Sequence, residues 1–485
     1  MQREFSLHGT WGFRLDDHKI GLEEEWQNMD LKDRIQIPGI LQNQGYGNEI
    51  NETTPWVSSL YDILWYQREE YKTNLKETQV PFLCQPKRHY IGQAWYRKSF
   101  AIPGNLKNHV FYFFIECVKW KTSVWLDGAY IGSETLLCAP HEYYLGELEE
   151  GEHTIIVCVD NSYQYPYRPD GHMLSDALGA AWNGMVGKVA IRSVPYIHIE
   201  RIRAFPDIET KKVRAEVTVR NHRKESRNIR LVIGDTSVIT VAGYGCITVN
   251  LNLSYPREAG LWDEFSVKLH RLQAMLEFDG MKEKKAIIFG FRRIEVKDGL
   301  FYVNHRTTYF RGTHSGGDFP LTGYPSTSVE EWRKIIQTCK SYGLNYIRFH
   351  SFCPPEAAFA AADEEGMYLQ VECGMWNDFY DGCVMSEILW KETMKILDAF
   401  GNHPSFVMLS PSNEPSYKWY KPLTDWVLKC REQDSRRLYT AQSGWPYPMK
   451  PGEIENTDYL YFHRSGYGIQ PGGTIRQELT PRLIQ

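Results

Sequence analysis

The chain has no C-x-x-C pair. Its 10 cysteines are scattered without regular spacing, which argues against a zinc site or a disulfide framework and leaves buried thiols as the default. It has no run of like charges either, and a formal net charge of −5 offers no basic face for nucleic acid. No stretch is long and apolar enough to cross a bilayer, and Met1-Gln2-Arg3-Glu4-Phe5 lacks the apolar segment of a signal peptide. The chain as written reads as soluble, with the cytoplasm and, if a leader was removed, the periplasm both open. What is plentiful is aromatic: 14% of the residues, with 15 Trp, a composition that suits sugar-stacking clefts and β-rich cores alike. At 485 residues, two to four domains are expected, each able to bury its own core.

From residue 7 to about 194, short alternating runs are broken by turn residues, as in Trp95-Tyr96-Arg97-Lys98-Ser99-Phe100 and Ser123-Val124-Trp125-Leu126 followed by Asp127-Gly128. An Asp-Gly between β-rich runs signals a hairpin, and many such strands predict a β-sandwich. The insertion 163–180, rich in Tyr, Pro, Gly and His, reads either as a rim loop or as a disordered excursion, with His172 and Asp176 read either as substrate contacts or, more readily, as solvated loop residues. A second β-rich stretch, 197–288, includes the alternating Val213-Arg214-Ala215-Glu216-Val217-Thr218-Val219.

Beyond Arg311 the period changes. Ser328-Val329-Glu330-Glu331 is a capping box, Trp332, Ile335, Ile336 and Cys339 mark one helical face, and Gly343 sits where a helix ends. Strands at 346–349, 368–371, 406–409, 438–441 and 459–462 then alternate with helices at 354–365, 387–400 and 419–432. Strict alternation with short joints predicts parallel strands with crossover helices. If they line a barrel, the residues just after them converge on one face: Arg348, His350, Glu372, Asn413, Glu414, Trp445 and His463.

The stretch Asn402-His403-Pro404-Ser405, the buried run Phe406-Val407-Met408-Leu409, and Asn413-Glu414-Pro415 stand in an order that resembles glycoside hydrolase family 2, the family of β-galactosidases, β-glucuronidases and β-mannosidases. Asn-Glu-Pro by itself also reads as a plain turn. Further stretches carry the resemblance across most of the chain. They are Gly9-Thr10-Trp11, Ala94-Trp95-Tyr96-Arg97, Trp182-Asn183-Gly184-Met185-Val186-Gly187-Lys188, Leu261-Trp262-Asp263 and Phe289-Gly290-Phe291-Arg292. The fold this implies is multidomain: a sugar-binding-like β-sandwich of jelly-roll type over 1–196, an immunoglobulin-like β-sandwich over 197–289, and a (β/α)₈ TIM barrel from 290 to 485.

The resemblance implies a retaining exo-β-glycosidase, β-galactosidase-like by default. Glu414 is then the general acid in the first step and the general base in the second, with Met408 and Pro411 as apolar walls that raise its pKa. Asn413 is expected to hydrogen-bond the sugar 2-hydroxyl. Arg348 matches the arginine that orients the nucleophile, although the usual R-x-S-H-Y-P continues here as Arg348-Phe349-His350-Ser351-Phe352-Cys353-Pro354, which shifts the histidine to His350. His350 also reads as a hydrogen-bonded core histidine, and Glu372 as a salt-bridge partner of Arg348. Glu372, Trp376, Trp445 and His463 complete the expected substrate-binding set, with aromatic packing between loops as the other reading for the Trp and His side chains.

A retaining mechanism needs a second carboxylate about 5 Å from the first. The family places it after the seventh strand, and Pro481-Arg482-Leu483-Ile484-Gln485 reads as that strand, with Glu478 on its wrong side. The expectation is a fragment without its nucleophile, inactive as a hydrolase by itself. A non-catalytic carbohydrate-binding protein is the alternative. No cofactor and no metal are expected, the partner is a carbohydrate, and self-association is left open.

Overall fold

The computed structural model describes residues 3–51, 53–58, 84–176, 181–444, 456–461 and 483–484. In the N-terminal part, two antiparallel sheets face each other. One contains Arg3–Ser6, His109–Val118, His141–Gly146 and Gly184–Pro195, and the other Gly9–Asp16, Asp33–Ile37, Gln93–Ile102, Lys121–Leu126, Ala129–Glu134 and Gly151–Asp160. They bury one shared core, in which Trp11, Phe13 and Val157 of the second sheet meet Phe111, Phe113 and Ile191 of the first. Burying each such side chain contributes about 1.5–3 kcal/mol. The Asp-Gly hairpin forms, with Asp127 at φ 49° and Gly128 at φ 82°, the left-handed pair that matches strand twist.

Two further antiparallel sheets follow, one of Ile197–Asp207, Lys212–Asn221 and Gly245–Ser254, the other of Thr236–Ala242, Arg227–Ile233, Leu269–Phe278 and Met281–Gly290. Their common core includes Val213, Val217, Leu231 and Leu276.

The C-terminal part is α/β. Five parallel strands, β1 (Gly312–Ser315), β2 (Tyr346–Phe349), β3 (Tyr368–Glu372), β4 (Phe406–Ser410) and β5 (Leu438–Tyr439), pair in that order. The helices between them are α1 (Val329–Ser341), α2 (Glu356–Glu365), α3 (Val384–Phe400) and α4 (Tyr420–Gln433). A further parallel pair joins Leu460–Tyr461 to Leu483–Ile484. Helix α1 starts where the capping residues place it, Ser328 accepting from the Glu331 amide. It ends in a Schellman turn, with Leu344 N donating to Cys339 O and Gly343 at φ 77°. Its buried face is narrower than expected: Trp332 and Ile336 are buried, whereas Ile335 is 37% exposed because it stands a full 100° round the helix from Ile336.

The Asn402-His403-Pro404-Ser405 stretch does its work at the entry to β4, away from Glu414. Asn402 donates to Ile202 O and accepts from Ala204 N, tying the second β unit to the α/β unit. His403 is held between Asp363 (2.6 Å) and Glu356 (3.0 Å) of α2, and Ser405 N donates to Asp363. Gly290 explains itself here: a Cβ added to it would lie 2.7 Å from Trp262 Cβ and 2.9 Å from Pro404 Cβ. Arg292, buried beside it, donates to the carbonyls of Pro404, Phe406 and Arg436.

Candidate active site

Fully buried β4 carries the chain to a tight turn that fixes the next residues by backbone bonds. Asn413 N donates to Met375 O at 3.0 Å, and Glu414 N to Ser443 O at 2.7 Å, so the loops after β3, β4 and β5 are laced together. Glu414 has φ 32°, a left-handed conformation that costs a non-glycine residue about 1–3 kcal/mol and collects at functional positions. Its side chain is half-buried.

Around this turn stands a buried polar network. Arg348, on β2, donates through Nε to Glu372 Oε1 at 2.8 Å and through Nη2 to Asn413 Oδ1 at 2.7 Å. Glu372, at the end of β3, accepts on Oε2 from Ser351 N at 2.6 Å and on Oε1 from Gln370 Nε2 at 3.4 Å. Gln370 in turn is held by Tyr346 Oη and by Ser443 Oγ. Arg348 and Glu372 thus form a buried ion pair in which one Glu372 oxygen faces Arg348 and the other the Ser351 amide. An arginine can only donate, so the Asn413 atom facing it must be the carbonyl oxygen. The other end of the amide, Nδ2, is buried with no partner among the described residues.

His350 follows β2 and presents Nδ1 to Ser351 Oγ at 3.2 Å. Its ring meets those of Trp376 (5.5 Å), His314 (6.0 Å) and His172 (4.3 Å). Burial and the adjacent Arg348 hold its pKa far below the usual histidine range, so the ring is neutral. Trp376 is half-buried, its indole N–H has no partner among the described residues, and Arg168 lies over its ring at 4.9 Å.

Of the two sequence readings of 163–180, the disordered excursion is overturned for the described residues 163–176, as is the solvated placement of His172 and Asp176, whereas the contacts of Pro166 with Asn377 and of Arg168 with Trp376 agree with a rim loop. Tyr163, Tyr165 and Tyr167 pack around Trp120 at 5.9, 6.2 and 5.0 Å, with Tyr167 N donating to Tyr165 O in a tight turn. His172 and Asp176 are both buried, Asp176 beside His89 at 3.8 Å. No local signal marked this, because the partners are 40 to nearly 200 residues away in sequence. Met408 is also displaced from the expected wall. It lies in a buried cluster with Trp262, Phe301, Tyr346 and Tyr368, because strand residues short of the turn fill the interior layer. Trp445, His463 and Glu478 lie outside the described residues. No group of three or more His, Cys, Asp or Glu that could hold a metal is found among the described residues.

Against known proteins, residues 294–459 match the model of the glycosyl hydrolases family 2, TIM barrel domain. The β-galactosidase of Halalkalibacterium halodurans is 24% identical over 449 residues, 85% of this chain and 41% of that protein. The β-galactosidase large subunit of Latilactobacillus sakei is 22% identical over 485 residues, 94% of this chain and 75% of that protein. A GH2 β-galacturonidase from Eisenbergiella tayi bound to galacturonate shares the fold with a TM-score of 0.70 at 18% identity, over 91% of this chain and 71% of that one. The chain spans less than half the length of the first curated relatives, at 41%, 45% and 40%. The strand-end arginine, the Asn-Glu turn after the fourth strand and these likenesses together mark residues 294–459 as a glycosyl hydrolases family 2 TIM barrel domain.

Proposed function

We propose that this chain carries the acid/base and sugar-recognition half of a retaining exo-β-glycosidase site, β-galactosidase-like in its substrate class. The observation that carries the reading is the orientation of Asn413. Arg348 holds its carbonyl, and the buried Nδ2 is left as a hydrogen-bond donor next to the only half-buried carboxyl of the turn, that of Glu414. A donor for the 2-hydroxyl beside a carboxyl for the glycosidic oxygen is the pairing that glycoside hydrolysis needs, because the hydroxyl contact strengthens as charge develops on the ring.

Glu414 then protonates the leaving oxygen and later takes a proton from the attacking water. Arg348 keeps the amide in register, and His350 with Trp376 walls the sugar. The second carboxylate is assigned to no described residue, and Glu372 is read as the fully buried partner that holds Arg348. The three β-rich and α/β units read as 1–196, 197–289 and 290–485.

The test is turnover of aryl β-galactosides and β-glucuronides by the protein purified from its native source, with and without Glu414→Gln. The expected result is release of the β-linked sugar with retained configuration, slowed about 10²–10⁴-fold by the substitution. Unchanged turnover in Glu414→Gln overturns the acid/base assignment. Sugar binding without any turnover would make the protein a lectin-like relative.

A further inference from the structure

By sequence His172 belongs to the first β unit, yet it is bonded into the strand-end network of the α/β unit. We propose that His172 is a positioning residue for sugar recognition: through Ser351, Glu372 and Arg348 it sets the orientation of the Asn413 amide. This rests on the reading of Asn413 given above.

The connection is continuous. His172 N donates to Ser351 Oγ at 2.8 Å and its Nδ1 lies 3.0 Å from the same oxygen. Ser351 N donates to Glu372 Oε2 at 2.6 Å, Glu372 Oε1 accepts from Arg348 Nε at 2.8 Å, and Arg348 Nη2 donates to Asn413 Oδ1 at 2.7 Å. Ser351 is the hinge of this chain. It has φ 42°, a conformation that a β-carbon disfavours, and it is pinned on one side by His172 and on the other by Glu372. Its single hydroxyl proton goes to one imidazole Nδ1, so the other imidazole, of His172 or His350, must carry its proton on Nδ1 and donate. Both rings are neutral, since burial lowers His172 to about 3 and lowers His350 as well, and the proton count closes without a charge.

The space for this contact is reserved. A Cβ on Gly316 would fall 1.8 Å from His172 Cδ2, so only glycine admits the ring. The rest of the segment is clamped to the same loops, by Asn377 Nδ2 donating to Pro166 O at 3.1 Å and by Arg168 over Trp376. Without the His172 imidazole, Ser351 Oγ keeps the backbone N–H of residue 172 but loses the side-chain contact that fixes its hydroxyl, which loosens its strained conformation. Its amide then withdraws from Glu372, and Arg348 no longer has one fixed direction toward Asn413.

A structural role alone would loosen the whole site, whereas a positioning role acts on one hydroxyl. Calorimetric titration of phenyl 1-thio-β-D-galactoside and its 2-deoxy counterpart separates the two. Wild-type protein is expected to prefer the parent compound about tenfold, the worth of one hydrogen bond to a buried donor. In His172→Ala that ratio is expected to fall to about one while affinity for the 2-deoxy compound stays within about twofold. His172→Asn, whose amide can still donate to Ser351, should keep most of the ratio, and Gly316→Ala, which keeps His172 but denies it room, should lose it. These two variants carry the test if His172→Ala does not fold. An unchanged ratio in His172→Ala and Gly316→Ala, or an equal loss of affinity for both compounds, overturns the positioning role and leaves the Asn413 reading standing. A wild-type protein that binds neither compound, or binds both equally, overturns the Asn413 reading itself and the positioning role with it.

Discussion

Nη2 of Arg348 and Oδ1 of Asn413, both buried, lie 2.7 Å apart, and that one contact decides which way the amide faces. The arginine is fixed in turn by Glu372. The site therefore depends on a buried ion pair whose members never need to touch the sugar.

Removing half of that pair leaves an uncompensated charge. Glu372→Ala is expected to destabilise the protein by about 3–5 kcal/mol, measured as a shift in the denaturant midpoint, whereas Glu372→Gln, which can still accept from Ser351 N, loses less. Equal stability of Glu372→Ala and wild type would mean that the pair is open to water.

Glu414 trades stability for position. With φ 32° it sits where glycine is comfortable and other residues are not, so Glu414→Gly should raise stability by roughly 1 kcal/mol in denaturant unfolding while removing the acid/base group. A loss of stability would show that the glutamate side chain contributes more than its backbone costs.

His403 should make stability pH-dependent on the alkaline side. Burial opposes its charge, but Asp363 and Glu356 outweigh that and raise its pKa to about 10. A histidine raised in the folded state stabilises fully below its unfolded pKa of about 6.5, and that contribution fades as pH climbs toward 10. The stability gap between wild type and His403→Asn is therefore expected to be widest at pH 6 and to shrink steadily by pH 10. A gap that is flat across this range would place the ion pairs outside the folded-state energetics.

At the junction of the β and α/β units, Gly290→Ala must push against Trp262, whose amide donates to Phe291 O, and Pro404, whose carbonyl accepts from Arg292 Nε. About 1–3 kcal/mol of destabilisation is expected from thermal or denaturant unfolding. A neutral effect would mean that the junction has slack.

Much of this was legible in sequence because it is local. The run Phe406-Val407-Met408-Leu409 is short and uniformly apolar, as a doubly covered strand must be, and it forms β4 within a residue. The caps of α1 and the Asp127-Gly128 hairpin obey nearest-neighbour rules. The strand-end position of Arg348, Glu372, Asn413 and Glu414 followed from counting periods. What was not legible is what lies far along the chain. Nothing around His172 announces Ser351, 179 positions away. Nothing around Asn402-His403 says that those residues clamp the second β unit and α2 at the entry of β4, so a stretch useful for recognising the family was silent about its own physical role. Ile335 looked like core because a helical face was drawn four residues wide, and packing against α2 and the sheet used only part of it.

The most direct measurement is a crystal structure of the protein soaked with a β-linked thioglycoside that carries its 2-hydroxyl. That hydroxyl is expected within about 2.7–3.2 Å of Asn413 Nδ2, with the Glu414 carboxyl at similar reach of the glycosidic sulfur. A sugar bound elsewhere, or one whose 2-hydroxyl turns away from Asn413 while Arg348 still holds the amide, would contradict it.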